Sequence, residues 1–132
     1  MNLDFSSLAK AIASLRMALA ARAADPANEF VRDSCIQRFE YTYELAHKML
    51  KRYLEASEPD EAAIDTMGMA DLVRTGWERG LLKSSWDKWV TYRAARNITS
   101  HTYNPDKANE VVAIIPAFLE EAAFLFERLT SK

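Results

Sequence analysis

The sequence predicts an all-α protein in which four to five helices form an up-and-down antiparallel bundle. Only three glycines and four prolines occur in 132 residues, so signals for tight turns are few. Ala, Leu, Glu, Lys and Arg predominate, and these residues favour helices over short strands. Hydrophobic residues make up 49% of the chain, enough for the core of one domain over residues 1–132. Short predicted loops favour antiparallel neighbours.

The first two helices are predicted from long apolar stripes. The first begins near Ser6 or Ser7, either of which can cap it, and ends before Pro26. Its stripe has a spacing of three to four residues and consists of Phe5, Leu8, Ile12, Leu15 and Leu19. The second helix runs from about Ala27 to Ala56, and the segment 57–60 ends it. Its stripe consists of Cys35, Phe39, Tyr43, Ala46, Leu50 and Tyr53.

The middle of the chain predicts two shorter helices. Met69, Leu72, Val73 and Trp77 indicate a third helix, which closes near Gly80, a residue type common just after helix ends. The fourth helix is capped by Ser84 or Ser85 and carries Trp86, Trp89 and Val90. It must end before Pro105, because the residue that precedes a proline avoids the α conformation.

The last predicted helix runs from about Asp106 to Leu129. Its apolar residues alternate at three and four positions: Val111, Ile115, Phe118, Ala122, Leu125 and Leu129. Pro116 lies inside this pattern and lacks the backbone N–H that a helix uses. We therefore expect one helix that is kinked in the turn before Pro116, not two separate helices.

Composition excludes several classes of protein. The single cysteine, Cys35, cannot form an internal disulfide, and no secretory start is recognisable, so a cytoplasmic location is expected. Arg16 and Arg22 interrupt the most apolar early stretch, so no membrane span is expected. The net charge of −2 argues against nonspecific coating of nucleic acid. Residues 74–107 nevertheless carry seven cations against three acids, a net charge of +4 that suits either a small anion site or scattered solvated charges.

The most informative segment is 96–103, at the end of the fourth helix. At 100° per residue, Arg93, Asn97 and His101 lie one above another, and Arg96 and Ser100 lie beside them. Arginine grips phosphate through a planar fork of donors, and histidine exchanges a proton near neutral pH. This polar face therefore predicts phosphodiester chemistry by Arg96 and His101, with Arg93, Asn97 and Ser100 contacting the substrate.

One geometric requirement accompanies that prediction. In a regular helix Arg96 and His101 diverge by about 140°, so they reach one phosphate only if the last turn loosens or a second subunit completes the site. The sequence offers no metal-binding cluster, and we expect neither a metal nor another cofactor. The other histidine, His47, stands alone in the second helix and is interpreted as structural.

Other chemically capable residues have structural interpretations. Trp77, Trp86, Trp89 and Tyr92 either stack on unpaired bases or pack in the core or a dimer interface, and their helical spacing favours packing. Phe39, Tyr41 and Tyr43 are interpreted in the same way. Cys35 has no neighbouring cation or histidine in sequence that would activate its thiol, so no nucleophilic role is expected.

The segment also carries a family resemblance. It reads Arg-Asn-Ile-Thr-Ser-His-Thr-Tyr-Asn, preceded by Gly80-Leu81-Leu82 and Trp86. This string resembles the signature of the HEPN family, whose specific part, Arg-x-x-x-x-His-x-Tyr, is matched by Arg96, His101 and Tyr103. Asn97 matches the asparagine after the arginine. The likeness spans nearly the whole chain. Within the family, the chain resembles most specifically the small HEPN proteins that are paired with minimal nucleotidyltransferases. These proteins are described either as nucleotidyltransferase substrate-binding proteins or as HepT-like toxins.

The resemblance implies a homodimer whose polar helix ends face each other across a cleft. In active members it implies a metal-independent endoribonuclease, the toxin of a toxin–antitoxin pair, with Arg96 and His101 as catalytic residues. It further implies that the partner nucleotidyltransferase moves AMP from ATP onto Tyr103 and so blocks the site.

Two other interpretations of the same residues stay open. In one, the protein is a non-catalytic subunit that holds a nucleotide or substrate for the nucleotidyltransferase. In the other, the segment is simply a helix end with a satisfied histidine and solvated arginines.

Overall fold

The computed structural model describes residues 3–131, which form six α-helices and one 3₁₀ turn. The helices are α1 (Ser6–Ala24), α2 (Glu29–Ser57), α3 (Glu61–Asp65), α4 (Met69–Glu78), α5 (Trp86–Asn97) and α6 (Pro105–Thr130). The 3₁₀ turn, Thr99–His101, lies between α5 and α6. No strand occurs in this part of the chain, so the all-α prediction is confirmed, and the five-residue α3 is an addition to the predicted helices.

The first two helices begin where side chains satisfy their free N–H groups. Ser6 is the first helical residue of α1 and Phe5 holds the cap position, while the Asp4 carboxylate accepts the Ser6 N–H at 2.8 Å. In α2 the Asn28 side chain accepts the N–H groups of Phe30 (2.9 Å) and Val31 (3.2 Å). This cap moves the start of α2 to Glu29, two residues beyond the predicted start.

The turn after α4 has the predicted glycine at its end. Gly80 has φ of +74°, the left-handed conformation that glycine adopts without steric cost. The N–H of Gly80 donates to Trp77 O at 3.0 Å and that of Leu81 donates to Gly76 O at 2.9 Å, the bonds of a Schellman motif. Ser85 then occupies the cap position of α5, but its hydroxyl makes no capping bond.

The helices pack around α2 and α6. The Arg38 guanidinium donates to the Ser14 carbonyl at 2.7 Å and the Thr42 hydroxyl to the Ala11 carbonyl at 3.4 Å. Because residue numbers rise along α2 as they fall along α1, these two helices are antiparallel. α1 packs against α2 and α6, whereas α5 packs against α4 and α6 and also touches α2. No helix within residues 3–131 is long and apolar enough to cross a membrane.

Five aromatic side chains form the centre of the core. They are Phe39 and Tyr43 of α2, Trp89 and Tyr92 of α5, and Phe118 of α6. The rings of Trp89 and Tyr92 meet edge to face at 5.3 Å, and Tyr92 meets Phe118 in the same way at 5.4 Å. The packing interpretation of Trp89 and Tyr92 is therefore confirmed.

Two aromatic residues lie outside this core. Trp77 is 46% exposed on α4. Tyr41 is 37% exposed, and its hydroxyl shares a hydrogen bond with that of Ser14, so Tyr41 does not pack in the core, and its packing in a dimer interface stays a prediction.

Helix α6 runs without interruption through Pro116, as predicted, while the kink itself stays a prediction. Its Glu121 is fully buried, and one carboxylate oxygen accepts the backbone N–H groups of Lys83 (2.7 Å) and Ser84 (3.3 Å). Burial raises the pKa of Glu121, although these hydrogen bonds oppose the rise. Burial also raises the pKa of nearby Tyr92 to about 12. Glu121 thereby fixes the loop that leads into α5.

Candidate functional site

The end of α5 departs from the regular helix used in the sequence prediction. The last α-helical residue is Asn97, and the backbone then tightens into the 3₁₀ turn, in which His101 N–H donates to Ile98 O at 2.9 Å. The Thr99 hydroxyl lies 2.8 Å from the Arg96 carbonyl and 2.7 Å from Glu40 Oε2, and its one proton can be donated to only one of them at a time. The predicted column of Arg93, Asn97 and His101 is therefore wrong beyond Asn97.

Arg96 points from α5 toward two carboxylates on α2. Its Nε donates to Glu44 Oε1 at 2.8 Å, and its Nη1 donates to the Thr99 hydroxyl at 3.2 Å. Glu40 Oε2 lies 3.8 Å from Nη1 and accepts the Thr99 hydroxyl at 2.7 Å. The Arg96 side chain as a whole is 31% exposed. Arg96 is thus held on one side and accessible on the other.

A polar depression of about 300 Å³ lies beside this arginine. Its lining comes from three helices and consists of Tyr43, Glu44 and His47 of α2, Met69 of α4, and Arg93, Arg96 and Asn97 of α5. Three of the predicted site residues therefore lie together. Ser100 and His101 are exposed and do not line this depression, so one chain does not bring His101 and Arg96 to the same cavity.

The structure places His47 beside the arginines, which sequence reasoning missed. His47 is half-buried, and burial lowers its pKa, against an opposing effect of the Glu44 carboxylate. An imidazole with a lowered pKa is neutral at pH 7 and can accept a proton. The available signal was the spacing of Tyr43, Glu44 and His47, since positions three and four apart share a helix face.

Tyr103 lies in the short connection between the 3₁₀ turn and α6. Its side chain is 86% exposed, and its phenol has no partner among residues 3–131. The next residue, Asn104, caps α6 by accepting the Asp106 N–H at 2.9 Å, and Pro105 follows as the first helical residue. Tyr103 is therefore presented to solvent at a fixed point of the backbone.

A second depression, apolar and about 440 Å³ in volume, lies between α5 and α6. It is lined by Thr91, Ala94, Ala95, Ile98, Glu110, Ala113 and Ile114. Val90, on the same side of α5, is 46% exposed. This apolar face ends at Ile98, directly before the turn that carries Ser100 and His101.

The donors needed for a metal do not gather in the described chain. Within residues 3–131 no three His, Cys, Asp or Glu side chains are close enough to hold one ion. Cys35 is buried, and burial raises the pKa of its thiol while Arg22 and Arg38 oppose that rise. A thiol in this state is a poor nucleophile.

Three comparisons relate the chain to known proteins. The family described as "Nucleotidyltransferase substrate binding protein like" matches residues 3–131. A Haemophilus influenzae protein named "Probable ribonuclease HepT" is 44% identical over 97 residues, which are 74% of this chain and 66%, just under two thirds, of that protein. A solved structure from Haemophilus influenzae has a TM-score of 0.90 and 35% identity, covering 97% of this chain and all of the other. It is described as the fold of a substrate-binding domain of a nucleotidyltransferase.

Proposed function

The chain belongs to the nucleotidyltransferase substrate-binding-protein-like family, and on that premise we propose that it is a metal-independent endoribonuclease, the toxin of a toxin–antitoxin pair. Arg96 and His101 are the catalytic residues, and Arg93, Asn97 and Ser100 contact the RNA. The observation that carries the proposal is the partly exposed Arg96 side chain beside Arg93 and Asn97, with the exposed His101 five residues further along the chain. The related protein named as a probable ribonuclease supports it.

The reaction requires only proton transfer and charge stabilisation. An imidazole takes the proton of a ribose 2′-hydroxyl, whose oxygen attacks the adjacent phosphorus, and the 5′-oxygen leaves and receives a proton. Arg96 stabilises the negative charge that develops on the phosphoryl oxygens. The products are a 2′,3′-cyclic phosphate and a 5′-hydroxyl end.

A homodimer supplies what one chain lacks. Since His101 lies outside the depression that contains Arg96, the histidine of one subunit meets the arginine of the other across a shared cleft. The apolar face around Ala94, Ile98 and Ile114 borders the motif and supports this face as the contact surface. Two copies of His101 would then serve as base and acid.

The partner is a minimal nucleotidyltransferase that acts as antitoxin by moving AMP from ATP onto Tyr103. The exposed phenol suits this reaction, because an enzyme must approach it from solvent. In the transfer, the phenol oxygen attacks the α-phosphorus of ATP, pyrophosphate leaves, and the phenolic proton passes to a base. The added nucleotide carries negative charge two residues from His101 and repels RNA phosphates.

A second candidate is a non-catalytic subunit that binds a nucleotide or substrate for the nucleotidyltransferase. The description of the similar solved structure favours it, as does the engagement of Arg96 by Glu44. This candidate uses the same Arg93, Arg96 and Asn97 without cleavage. Its site needs no contribution from His101.

One assay separates the two candidates. Purified protein is incubated with single-stranded RNA in a metal chelator, and the new ends are tested for 2′,3′-cyclic phosphate. Cleavage by the wild type that is lost in His101→Ala supports the ribonuclease. If both proteins are inert and AMP binding is lost in Arg96→Ala, the binding subunit is the correct function.

The modification has its own test. The protein is mixed with the nucleotidyltransferase and ATP, and the intact mass is measured. Addition of AMP to the wild type and none to Tyr103→Phe is expected. Additions that persist in Tyr103→Phe would place the modified residue elsewhere.

A further inference from the structure

The two carboxylates that engage Arg96 are not equivalent. Glu40 has two partners, one in the 3₁₀ turn and one in α5, since its Oε2 accepts the hydroxyl of the buried Thr99 at 2.7 Å and lies 3.8 Å from Arg96 Nη1. Glu44 has a single ion-pair partner among residues 3–131, the Arg96 Nε, at 2.8 Å. Glu44 is also the more exposed, at 54% against 44% for the Glu40 side chain.

Their positions relative to the polar depression differ as well. Glu44 lines the depression together with Arg93, Arg96 and Asn97, whereas Glu40 does not. An anion that enters the depression therefore meets the Glu44 carboxylate at the Nε edge of the guanidinium. Glu40 and Thr99 lie on the other edge and leave that approach open.

We propose that Glu44 occupies the place of a phosphate beside Arg96 in the free protein and must leave before an RNA phosphate binds, while Glu40 and Thr99 keep the guanidinium in place. Taking RNA as the ligand rests on the proposed function. Glu44 thereby sets how tightly the site holds any phosphate, and Glu40 is a positioning residue for Arg96.

The chemistry of the exchange supports this order of events. A carboxylate and a phosphodiester each carry one negative charge and each accept hydrogen bonds from a guanidinium edge. Exchanging one for the other keeps the charge around Arg96 constant. If Glu44 stayed in place, two like charges would share one edge of the guanidinium, which is unfavourable.

The proposal predicts that removing the charge of Glu44 strengthens binding. The change Glu44→Gln is made in the His101→Ala protein, so that RNA is not cut, and binding of a fluorescein-labelled single-stranded RNA is measured by anisotropy. We expect affinity about 1.4- to fivefold higher, the range of a partly exposed ion pair that no longer competes. Glu40→Ala should bind more weakly, because Arg96 and Thr99 lose the carboxylate that holds them in place.

The matched control is Glu127→Gln, which also removes one exposed negative charge. Glu127 is near the far end of α6, about 33 Å from Pro105 at 1.5 Å per residue. This control variant measures the general gain in RNA affinity that follows when the protein becomes less negative by one charge. Circular dichroism melting checks that all variants are folded, and a gain in affinity is not a result that misfolding produces.

A second readout does not depend on RNA. In ¹⁵N-labelled protein the Nε–H signal of Arg96, identified by its absence in Arg96→Lys, is followed during titration with inorganic phosphate. The signal should move at a lower phosphate concentration in Glu44→Gln than in Glu127→Gln.

The outcomes separate this inference from the proposed function. Equal RNA affinity in Glu44→Gln and Glu127→Gln, with RNA bound by both, overturns the role of Glu44 and leaves the ribonuclease standing. A protein that neither binds nor cuts RNA, but whose Arg96 signal responds to phosphate more readily in Glu44→Gln, supports the role of Glu44 and overturns RNA as the ligand. An Arg96 signal that phosphate moves equally in both variants also overturns the role of Glu44.

Discussion

The two halves of α5 differ in almost every physical respect. Toward its N-terminal end, as far as Tyr92, the side chains of Trp89 and Tyr92 are about 1–2% exposed and pack edge to face against each other and against Phe118 of α6. In the second half Arg93, Arg96 and Asn97 face a polar depression, and the helix gives way to a 3₁₀ turn. The contrast teaches that the apolar half fixes the helix axis, which in turn fixes where the polar half presents its charges.

The largest effect is expected when the buried aromatic side chain that anchors α5, Trp89, is removed. Trp89→Ala should lower the free energy of unfolding by about 3–5 kcal/mol, because a large buried side chain leaves a cavity that its neighbours fill only in part. Urea denaturation followed by circular dichroism measures the loss. Trp77→Ala is the matched control, and this 46% exposed residue should cost less than about 1 kcal/mol. Equal losses would contradict the view that Trp89 anchors α5.

The opposite test removes a candidate catalytic side chain near the polar end of α5 and leaves the aromatic anchor, Trp89, unchanged. If the ribonuclease proposal is correct, His101→Ala should lower the rate of RNA cleavage about 10²–10⁴-fold, the usual contribution of a general acid or base. The side chain is exposed, so the free energy of unfolding should change by less than about 0.5 kcal/mol. Single-turnover cleavage and urea denaturation measure the two effects. A rate that stays within a few-fold of the wild type would exclude His101 from the reaction.

The loop before α5 offers a test through pH. Burial raises the pKa of Glu121, so the folded protein keeps this proton at higher pH than the unfolded chain. The contribution of Glu121 to the free energy of unfolding is therefore complete at low pH and falls as pH rises through its folded pKa. Glu121→Gln removes this fall, while an amide oxygen can still accept the Lys83 and Ser84 N–H groups. Relative to wild type, the variant should gain stability as pH is raised from about 4 to 7.

Denaturation curves of both proteins at several pH values measure this gain. Glu127→Gln, a change at an exposed position on the same helix, is the control. A difference between Glu121→Gln and wild type that stays constant with pH would show that Glu121 does not retain its proton.

The smallest expected effect is at the start of α6. Asn104→Ala removes the side chain that accepts the Asp106 N–H, and the loss of a helix cap typically costs about 1 kcal/mol. Asn28→Ala removes the equivalent cap of α2, which is distant from the motif in sequence, and should cost a similar amount. If Asn104 also fixes Tyr103, only Asn104→Ala should change the rate at which the nucleotidyltransferase modifies the phenol. Equal modification rates in the two variants would show that Asn104 caps α6 but does not fix the position of Tyr103.

Local patterns in the sequence were sufficient to predict most of the fold. Apolar spacing predicted α1, α2 and α6, and Gly80 predicted the end of α4 because the left-handed backbone there is costly for other residues. The start of α1 near Ser6 was predicted, although Phe5 and not a serine holds the cap position, whereas the start of α2 was missed because it depends on Asn28, a polar side chain outside the apolar stripe.

The candidate site was only partly predictable, because its geometry depends on contacts between distant segments. The direction of the Arg96 side chain is set by Glu40 and Glu44, which are more than 50 residues earlier in the chain. The spacing of these two glutamates on one face of α2 was visible, but their partner was not. The polar column failed at His101 because 100° per residue applies only to an uninterrupted α-helix, and a 3₁₀ turn begins at Thr99.

The backbone of the short segment that carries Tyr103 is restrained at both ends. On one side the Asn104 N–H is bonded to His101 O at 3.2 Å, and on the other side Pro105 restricts the backbone and begins α6. Rotation about the two side-chain bonds of Tyr103 is then the main freedom left to its phenol. Any group attached to that oxygen can reach only a small volume around one point of the surface. The distance that it can reach is set by its own length and not by loop movement.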